Sequence, residues 1–98
     1  MALRIVKNIA AENDLVDIWI YSFDKWGTAQ ADKYLDQLDD GIQFLAENPL
    51  AGTKCDDIRK GYFSYPIKKH VIFYILENEA LRVIRVLGGE MNLSKHLK

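Results

Sequence analysis

Cysteine, histidine and proline are scarce in this sequence, with one, two and two copies among its 98 residues. The single Cys55 excludes an internal disulfide and is typical of a reducing compartment, so we expect a cytoplasmic protein. One cysteine and two distant histidines form no ligand set at the usual spacings, so we expect no metal and no other cofactor. No apolar run is long enough for a signal peptide or a membrane helix, and we expect no membrane association.

A strong excess of positive charge is also absent. The formal net charge is −1, and the 98 residues have the size of one domain, which we place at residues 1–98. The charge is uneven, because Lys25 and Lys33 are the only basic residues from 9 to 49, whereas nine basic residues lie from Lys54 to Lys98. A protein that binds nucleic acid over its whole surface is usually strongly basic. Any contact with nucleic acid or an acidic protein should therefore be made by the C-terminal half.

Two amphipathic helices are predicted in the N-terminal half. Asn8 is a suitable N-cap for the first helix, whose apolar residues recur at helical spacing until Gly27 ends it. Thr28 caps the second helix, and Pro49 stops it. The short connection at Gly27 predicts an αα-hairpin of adjacent, antiparallel helices. Gly41 interrupts the second helix, and it predicts a close approach of that backbone to the first helix.

Strands are predicted at residues 2–7 and in a C-terminal meander whose strands cover 63–67, 70–76 and 81–87. The middle strand of the meander is apolar on both faces, which predicts a central position in the sheet. Pro66 cannot donate a ladder hydrogen bond, so its strand should lie at an edge or end there. The predicted fold class is α+β, with a small antiparallel sheet in the order β-α-α-β-β-β packed against the αα-hairpin.

Two polar residues of the predicted sheet need an explanation. Arg85 alternates with Val83 and Leu87, so it should point to the same side as these apolar residues. A charged group in that position needs a partner, which a carboxylate on a helix or on another protein would supply. His70 is the one residue of the sheet with an ordinary pKa near neutrality, but a histidine that opens a strand is more often structural than catalytic.

Six segments carry a family resemblance, and they are distributed over residues 11–87, about four-fifths of the chain. They are AENDLVDIWIY at 11–21, WGTAQA at 26–31, LAENPLAG at 45–52, DIRKGY at 57–62, HVIFY at 70–74 and IRVL at 84–87. In this order they resemble the ParE branch of the RelE/ParE toxin superfamily. The resemblance implies a toxin of a type II toxin-antitoxin pair that inhibits DNA gyrase by binding, without catalysis of its own. It also implies neutralisation by a ParD-like antitoxin, with operator DNA reached only indirectly through that antitoxin.

The sequence departs from the family's pattern after the last strand, where Gly88 and Asn92 stand at the usual histidine and aspartate positions. This departure leaves open an attenuated toxin that keeps only antitoxin-binding and autoregulatory roles. A ribosome-dependent mRNA endoribonuclease of the RelE type is the other alternative. Cleavage of a phosphodiester needs a base, a proton donor and cations. His70 and the nearby basic residues supply only part of that set, so we assign no catalytic residue.

Two surfaces are predicted instead. The first is an apolar groove that binds an amphipathic or extended segment of the antitoxin, since a small two-layer domain cannot bury all its large side chains. Its predicted members are Trp19, Phe23, Tyr34, Tyr62 and Tyr65. The second is a cationic surface that contacts gyrase or an acidic antitoxin segment. Its predicted members are Arg59, Lys68, Lys69 and Arg85.

Overall fold

The computed structural model describes residues 2–88, which form two helices and a five-stranded sheet. The elements are β1 (Arg4–Lys7), α1 (Ile9–Trp26), α2 (Thr28–Glu47), β2 (Thr53–Lys54), β3 (Phe63–Ile67), β4 (His70–Glu77) and β5 (Ala80–Gly88). The predicted α+β class, the helical hairpin and the three-stranded meander are confirmed. Neither helix in residues 2–88 is both long enough and apolar enough to cross a membrane.

The two helices follow from periodic apolar residues and one glycine. In α2, Ala31, Leu38, Ile42 and Leu45 are buried, and their spacing places them on one face of the helix. Gly27 alone joins α1 to α2 and adopts a φ of 88°, a left-handed value that favours glycine. A one-residue connection leaves no room for the helices to separate, so they pack side by side.

The sheet has the strand order β1-β5-β4-β3-β2 and is mixed rather than antiparallel throughout. Strands β2 to β5 are antiparallel as predicted, but β1 pairs in parallel with β5, with Arg4 opposite Ala80. The alternation of side chains is the same in parallel and antiparallel strands, so it carries no information about strand direction. β5 becomes the parallel partner of β1 because the helical hairpin carries the chain from β1 to the opposite edge of the sheet. The meander then runs back across the sheet and ends beside β1.

Strand β4 is central, and a β-bulge divides its pairing with β5. Ile72, Phe73 and Tyr74 are all buried, which confirms the prediction of a strand covered on both faces. The register shifts between Phe73, opposite Arg85, and Tyr74, opposite Val83. Since a bulge reverses the alternation of sides, the prediction that Arg85, Val83 and Leu87 share a face is wrong.

The core lies mainly between the helices and the sheet. Val83 and Val86 pack there with Leu38, whereas Leu87 packs with Phe73 in a second cluster. Gly41 lies close to β3 rather than to α1, because a Cβ atom on Gly41 would come within 1.9 Å of the Ile67 side chain. The expected close approach is therefore real, but its partner is the sheet.

Both meander hairpins have two-residue loops with left-handed backbone at non-glycine residues. The β3–β4 loop is Lys68-Lys69, and Lys68 has a φ of 56°. The β4–β5 loop is Asn78-Glu79, with φ values of 48° and 61°. A residue with a side chain is strained in this region relative to glycine. Among residues 2–88, Pro66 pairs only with Val71 of β4, so within this part of the chain its strand is an edge at that point, as predicted.

Candidate functional site

An exposed apolar stripe runs along α1. Ile9, Val16, Ile20 and Phe23 are separated by seven, four and three residues, so they share one face of the helix. Their side chains are 77%, 56%, 48% and 43% exposed. This α1 stripe faces away from the buried side of the helix, where Ala11, Ile18 and Ser22 lie. Exposed apolar residues that share one helix face are typical of surfaces that bind another molecule.

Trp19 forms one border of the α1 stripe. Its ring stacks on Phe23 with 5.2 Å between centroids and an interplanar angle of 10°. Its indole Nε1 donates a hydrogen bond of 2.8 Å to Asp32 of α2. These contacts fix the orientation of the indole ring while leaving part of it accessible, as is typical of aromatic residues in binding surfaces.

The other three predicted groove residues lie elsewhere in the fold. Tyr65 stacks on Phe44 of α2 with 5.8 Å between ring centroids, and Tyr62 packs against the second cluster, which contains Phe73. Tyr34 faces the β3–β4 hairpin, where its hydroxyl contacts His70 at the start of β4. The structure thus places Trp19 and Phe23 together and separates Tyr34, Tyr62 and Tyr65 from them.

A basic cleft of about 550 Å³ lies where the end of α1, the first half of α2 and the β3–β4 loop meet. Its cations are Lys25, Lys33, Lys68 and Lys69, and we call it the lysine cleft. Residues from three elements complete its lining: Tyr21, Ser22, Trp26, Gln30, Tyr34, Gln37 and His70. The sequence predicted the pair in the loop but missed Lys25 and Lys33. The only signal for them was that they are the sole bases of an acidic segment.

Tyr34 and His70 form a hydrogen-bonded pair in the lysine cleft. The Tyr34 hydroxyl lies 2.6 Å from His70 Nδ1 and accepts a hydrogen bond of 3.3 Å from the Lys69 backbone N–H. We assign the hydroxyl proton to the contact with Nδ1, which places the ring proton of a neutral imidazole on Nε2. Burial lowers the pKa of His70 and raises the pKa of Tyr34, so both groups are neutral near pH 7.

Arg85 is held by Asp14 of α1. Its Nε and Nη2 donate hydrogen bonds of 2.7 and 2.8 Å to the two carboxylate oxygens of Asp14. The same carboxylate accepts a bond of 3.0 Å from the backbone N–H of Val86. The hydrogen bonds to Asp14 raise the pKa of Arg85. The predicted partner of Arg85 is confirmed as a carboxylate on a helix.

The four predicted target-binding residues do not form one patch. Lys68 and Lys69 follow β3, Arg59 lies in the loop before β3, and Arg85 lies in β5 beside Asp14.

A second, smaller cavity contains Lys7, Glu12 and Asp39, with Lys7 Nζ 3.5 Å from the Asp39 carboxylate. Its single lysine is therefore paired with a carboxylate of the same chain, unlike the lysines of the lysine cleft. Within residues 2–88, no three histidine, cysteine, aspartate or glutamate side chains are grouped as metal ligands would be.

Gly88 ends β5 directly opposite His70, the first residue of β4. The resemblance places a histidine at this position in the family. His70 thus lies on the neighbouring strand, at a distance of about 5 Å between facing positions. Asn92, the other departure from the family's pattern, lies outside the described residues.

Comparison with known families identifies residues 8–93 as matching the ParE toxin of the type II toxin-antitoxin system, parDE. Toxin ParE1 of Mycobacterium tuberculosis (strain H37Rv) is 37% identical, and the match covers 99% of this chain and 100% of that protein. Toxin ParE1 of Caulobacter vibrioides is 39% identical over 89% of this chain and 90% of its own length.

Solved structures show the same fold. A chain of the chromosomal ParDE TA system from P. aeruginosa superposes with a TM-score of 0.80 at 15% identity, covering 91% of this chain and 98% of that chain. A chain of the RelBE2 toxin-antitoxin complex from Mycobacterium tuberculosis superposes with a TM-score of 0.66 at 18% identity, covering 90% of this chain and 99% of that one. At these identities the structural likeness establishes the fold alone.

Proposed function

The chain belongs to the ParE toxin family of type II toxin-antitoxin systems, and we propose from this that it inhibits DNA gyrase by binding, in the cytoplasm, until a ParD-like antitoxin neutralises it. The observation that carries the proposal is the α1 stripe, a set of exposed apolar side chains on one helix face. A toxin that acts by binding needs such a surface, and so does one that is silenced by a partner protein.

The antitoxin is proposed to cover the α1 stripe together with Trp19. An amphipathic segment of the partner would bury Val16, Ile20 and Phe23, whose exposed area is otherwise unfavourable in water. Trp19 and Phe23 are proposed to contact the antitoxin, as predicted from the sequence. Tyr34, Tyr62 and Tyr65 remain predictions for more distant parts of the same partner. Operator DNA would be contacted only through the antitoxin.

Gyrase contact is proposed for the basic residues of the sheet half. Lys68 and Lys69 are exposed in the β3–β4 loop, and Arg59 is exposed before β3, so all three are accessible to a target. Arg85 remains a predicted gyrase-contacting residue, but most of its side chain is packed beside Asp14. We therefore expect Arg85 to act mainly by holding β5 in place.

The proposed activity is tested with purified gyrase and relaxed plasmid. We expect the protein to inhibit supercoiling and the cognate ParD-like antitoxin to restore it. Normal supercoiling in the presence of a folded toxin that still binds antitoxin would overturn gyrase inhibition and favour the attenuated toxin. The control is heat-denatured protein at the same concentration.

The antitoxin surface is tested by placing charge on the α1 stripe. Val16→Asp and Ile20→Asp alter exposed positions, so the fold should be retained while affinity for the antitoxin falls at least about tenfold. Leu50→Asp is the matched control, since Leu50 is 74% exposed in the loop that follows α2 and is not part of the α1 stripe. Trp19→Ala should also weaken capture of the antitoxin. Unchanged affinity in all of these folded variants would refute the proposed surface.

A ribonuclease of the RelE type is the alternative that one observation favours, namely the Tyr34–His70 pair among lysines. Such a pair could exchange a proton near a phosphate. The test is incubation with translating ribosomes and mapping of mRNA ends. Cleavage that His70→Gln abolishes, with supercoiling unaffected, would replace gyrase inhibition by this function.

A further inference from the structure

The lysine cleft concentrates positive charge without compensation. Its lining contains four lysines and no aspartate or glutamate, although α1 and α2 carry many carboxylates on other faces. Within residues 2–88, no ion pair involves any of these four lysines. Like charges brought together in a folded protein repel one another, so an anion in the cleft would relieve an unfavourable interaction.

Two aromatic rings border the same cleft. Tyr21 and Trp26 are 57% and 59% exposed, and their rings meet edge to face with 6.5 Å between centroids. Lys25 Nζ lies 5.0 Å from the centroid of Tyr21 and 5.7 Å from that of Trp26. An exposed indole offers a flat surface on which a planar heterocycle stacks. The cleft therefore combines sites for negative charge with a site for an aromatic ring.

The polar groups of the cleft favour hydrogen-bond donation to an anion. With Nδ1 engaged by Tyr34, the neutral ring of His70 presents Nε2–H as a donor. The N-terminus of α2 begins beside the cleft without a side-chain cap, and its first turn carries no acidic residue. The positive end of the helix dipole thus adds to the lysines.

Lys68 occupies a backbone conformation that favours glycine. Its φ of 56° is left-handed, and the first position of the two-residue loop is one at which glycine would be less strained. Strained backbone conformations are retained mainly at functional sites, so the strain at Lys68 supports a binding role for its side chain.

We propose that the lysine cleft binds a free nucleoside triphosphate, with the phosphates on the lysines and His70 and the base on Trp26. A triphosphate carries roughly four negative charges near neutral pH, which matches the four lysines. A cleft of about 550 Å³ is in the range that holds a ligand of this size. Lysine binds phosphate as a point charge, and the absence of lining carboxylates suits direct contact with the phosphates. This binding requires neither gyrase nor the antitoxin, although it uses Lys68 and Lys69, which are also proposed to contact gyrase.

The test is titration calorimetry of the full chain with ATP in magnesium-free buffer at low salt. The double variant Lys68→Gln/Lys69→Gln should bind about tenfold more weakly or worse, since it removes two of the four cations. Lys54→Gln/Lys60→Gln is the matched control, because both residues are exposed and outside the cleft. The control should stay within about twofold of the wild type. Circular dichroism verifies that each variant is folded.

The ligand series separates the phosphate and base contributions. Affinity should fall from ATP to ADP to AMP, and inorganic tripolyphosphate should bind more weakly than ATP. Trp26→Leu should weaken binding of ATP more than binding of tripolyphosphate, because the base is the part of ATP that stacks on the indole. Added salt should weaken binding to every phosphate ligand.

Several results would overturn the proposal. Absence of ATP binding would do so, as would equal affinity in the wild type and the Lys68/Lys69 double variant. Polyglutamate binding as tightly as ATP would show that the occupant is an acidic peptide, and tighter binding of a short oligothymidylate would show that it is a nucleic-acid strand. None of these assays contains gyrase or antitoxin, so their outcome is separate from that of the proposed function.

Discussion

Arg85 is held by both oxygens of Asp14, whereas the four lysines of the lysine cleft have no ion-pair partner among the described residues. A cation whose partner lies in the same chain contributes to folding, because the pair forms when the chain folds. Cations left together without a partner oppose folding and are available to a ligand. The pairing of a charge thus indicates which basic residues serve the fold and which serve binding.

The largest expected effect on stability comes from breaking the ion pair between Arg85 and Asp14. Asp14→Asn should lower the free energy of unfolding by about 2 kcal/mol, since it leaves the partly buried Arg85 without a countercharge and weakens the bond from Val86 N–H. Urea denaturation measures the change. Asp17→Asn is the control, because Asp17 is exposed on the same helix. A loss no greater than that of Asp17→Asn would contradict the structural role of Arg85.

A smaller effect of opposite sign is expected in the lysine cleft. Lys68→Gly should raise the free energy of unfolding by about 1 kcal/mol, because it relieves the left-handed strain at φ 56° and removes one of the repelling charges. Lys69→Gly removes a charge from the same loop without such strain, so it should not be stabilising to this extent. Thermal melting of both variants checks the difference. Equal stability of Lys68→Gly and the wild type would show that the loop is unstrained.

The smallest effect expected is a pH dependence at His70. Burial lowers its pKa in the folded protein below the usual value of 6.5, so the unfolded chain binds a proton more readily than the folded one. Stability should therefore be lost as the pH falls below about 6.5 and recovered as it rises again. The measurement is urea denaturation at several pH values, and His70→Gln should reduce the slope in this window. An unchanged slope in that variant would assign the pH dependence to other groups.

Local patterns in the sequence were sufficient for most of the fold. Periodic apolar residues located both helices, and the two-sided apolar pattern of 70–76 placed β4 at the centre of the sheet. Pro66 indicated an edge because its chemistry forbids a ladder bond whatever the surroundings. Helix periodicity, strand patterns and the effect of proline depend on residues that are close together in the chain. They can therefore be predicted from the sequence alone.

Features that depend on residues far apart in the chain could not be predicted in the same way. The bulge opposite Phe73 separates Val83 from Leu87, and nothing in the alternation of β5 indicates it. Gly41 contacts Ile67 because of how α2 crosses the sheet, and Lys25 and Lys33 join Lys68 and Lys69 only after the hairpin docks. The sequence thus predicted two of the four lysines of the cleft and missed the other two.

The parallel pairing of β1 with β5 also affects the order in which the molecule is built. Arg4 pairs with Ala80 of β5, the last of the described strands, so β1 cannot join the sheet until β5 has been synthesised. Contacts between such distant residues form slowly, since a long loop has to close before they gain any energy. The meander and the helical hairpin, each joined by short connections, can form earlier. A partly synthesised chain therefore has an incomplete sheet, and its complete binding surfaces would appear only once translation has passed β5.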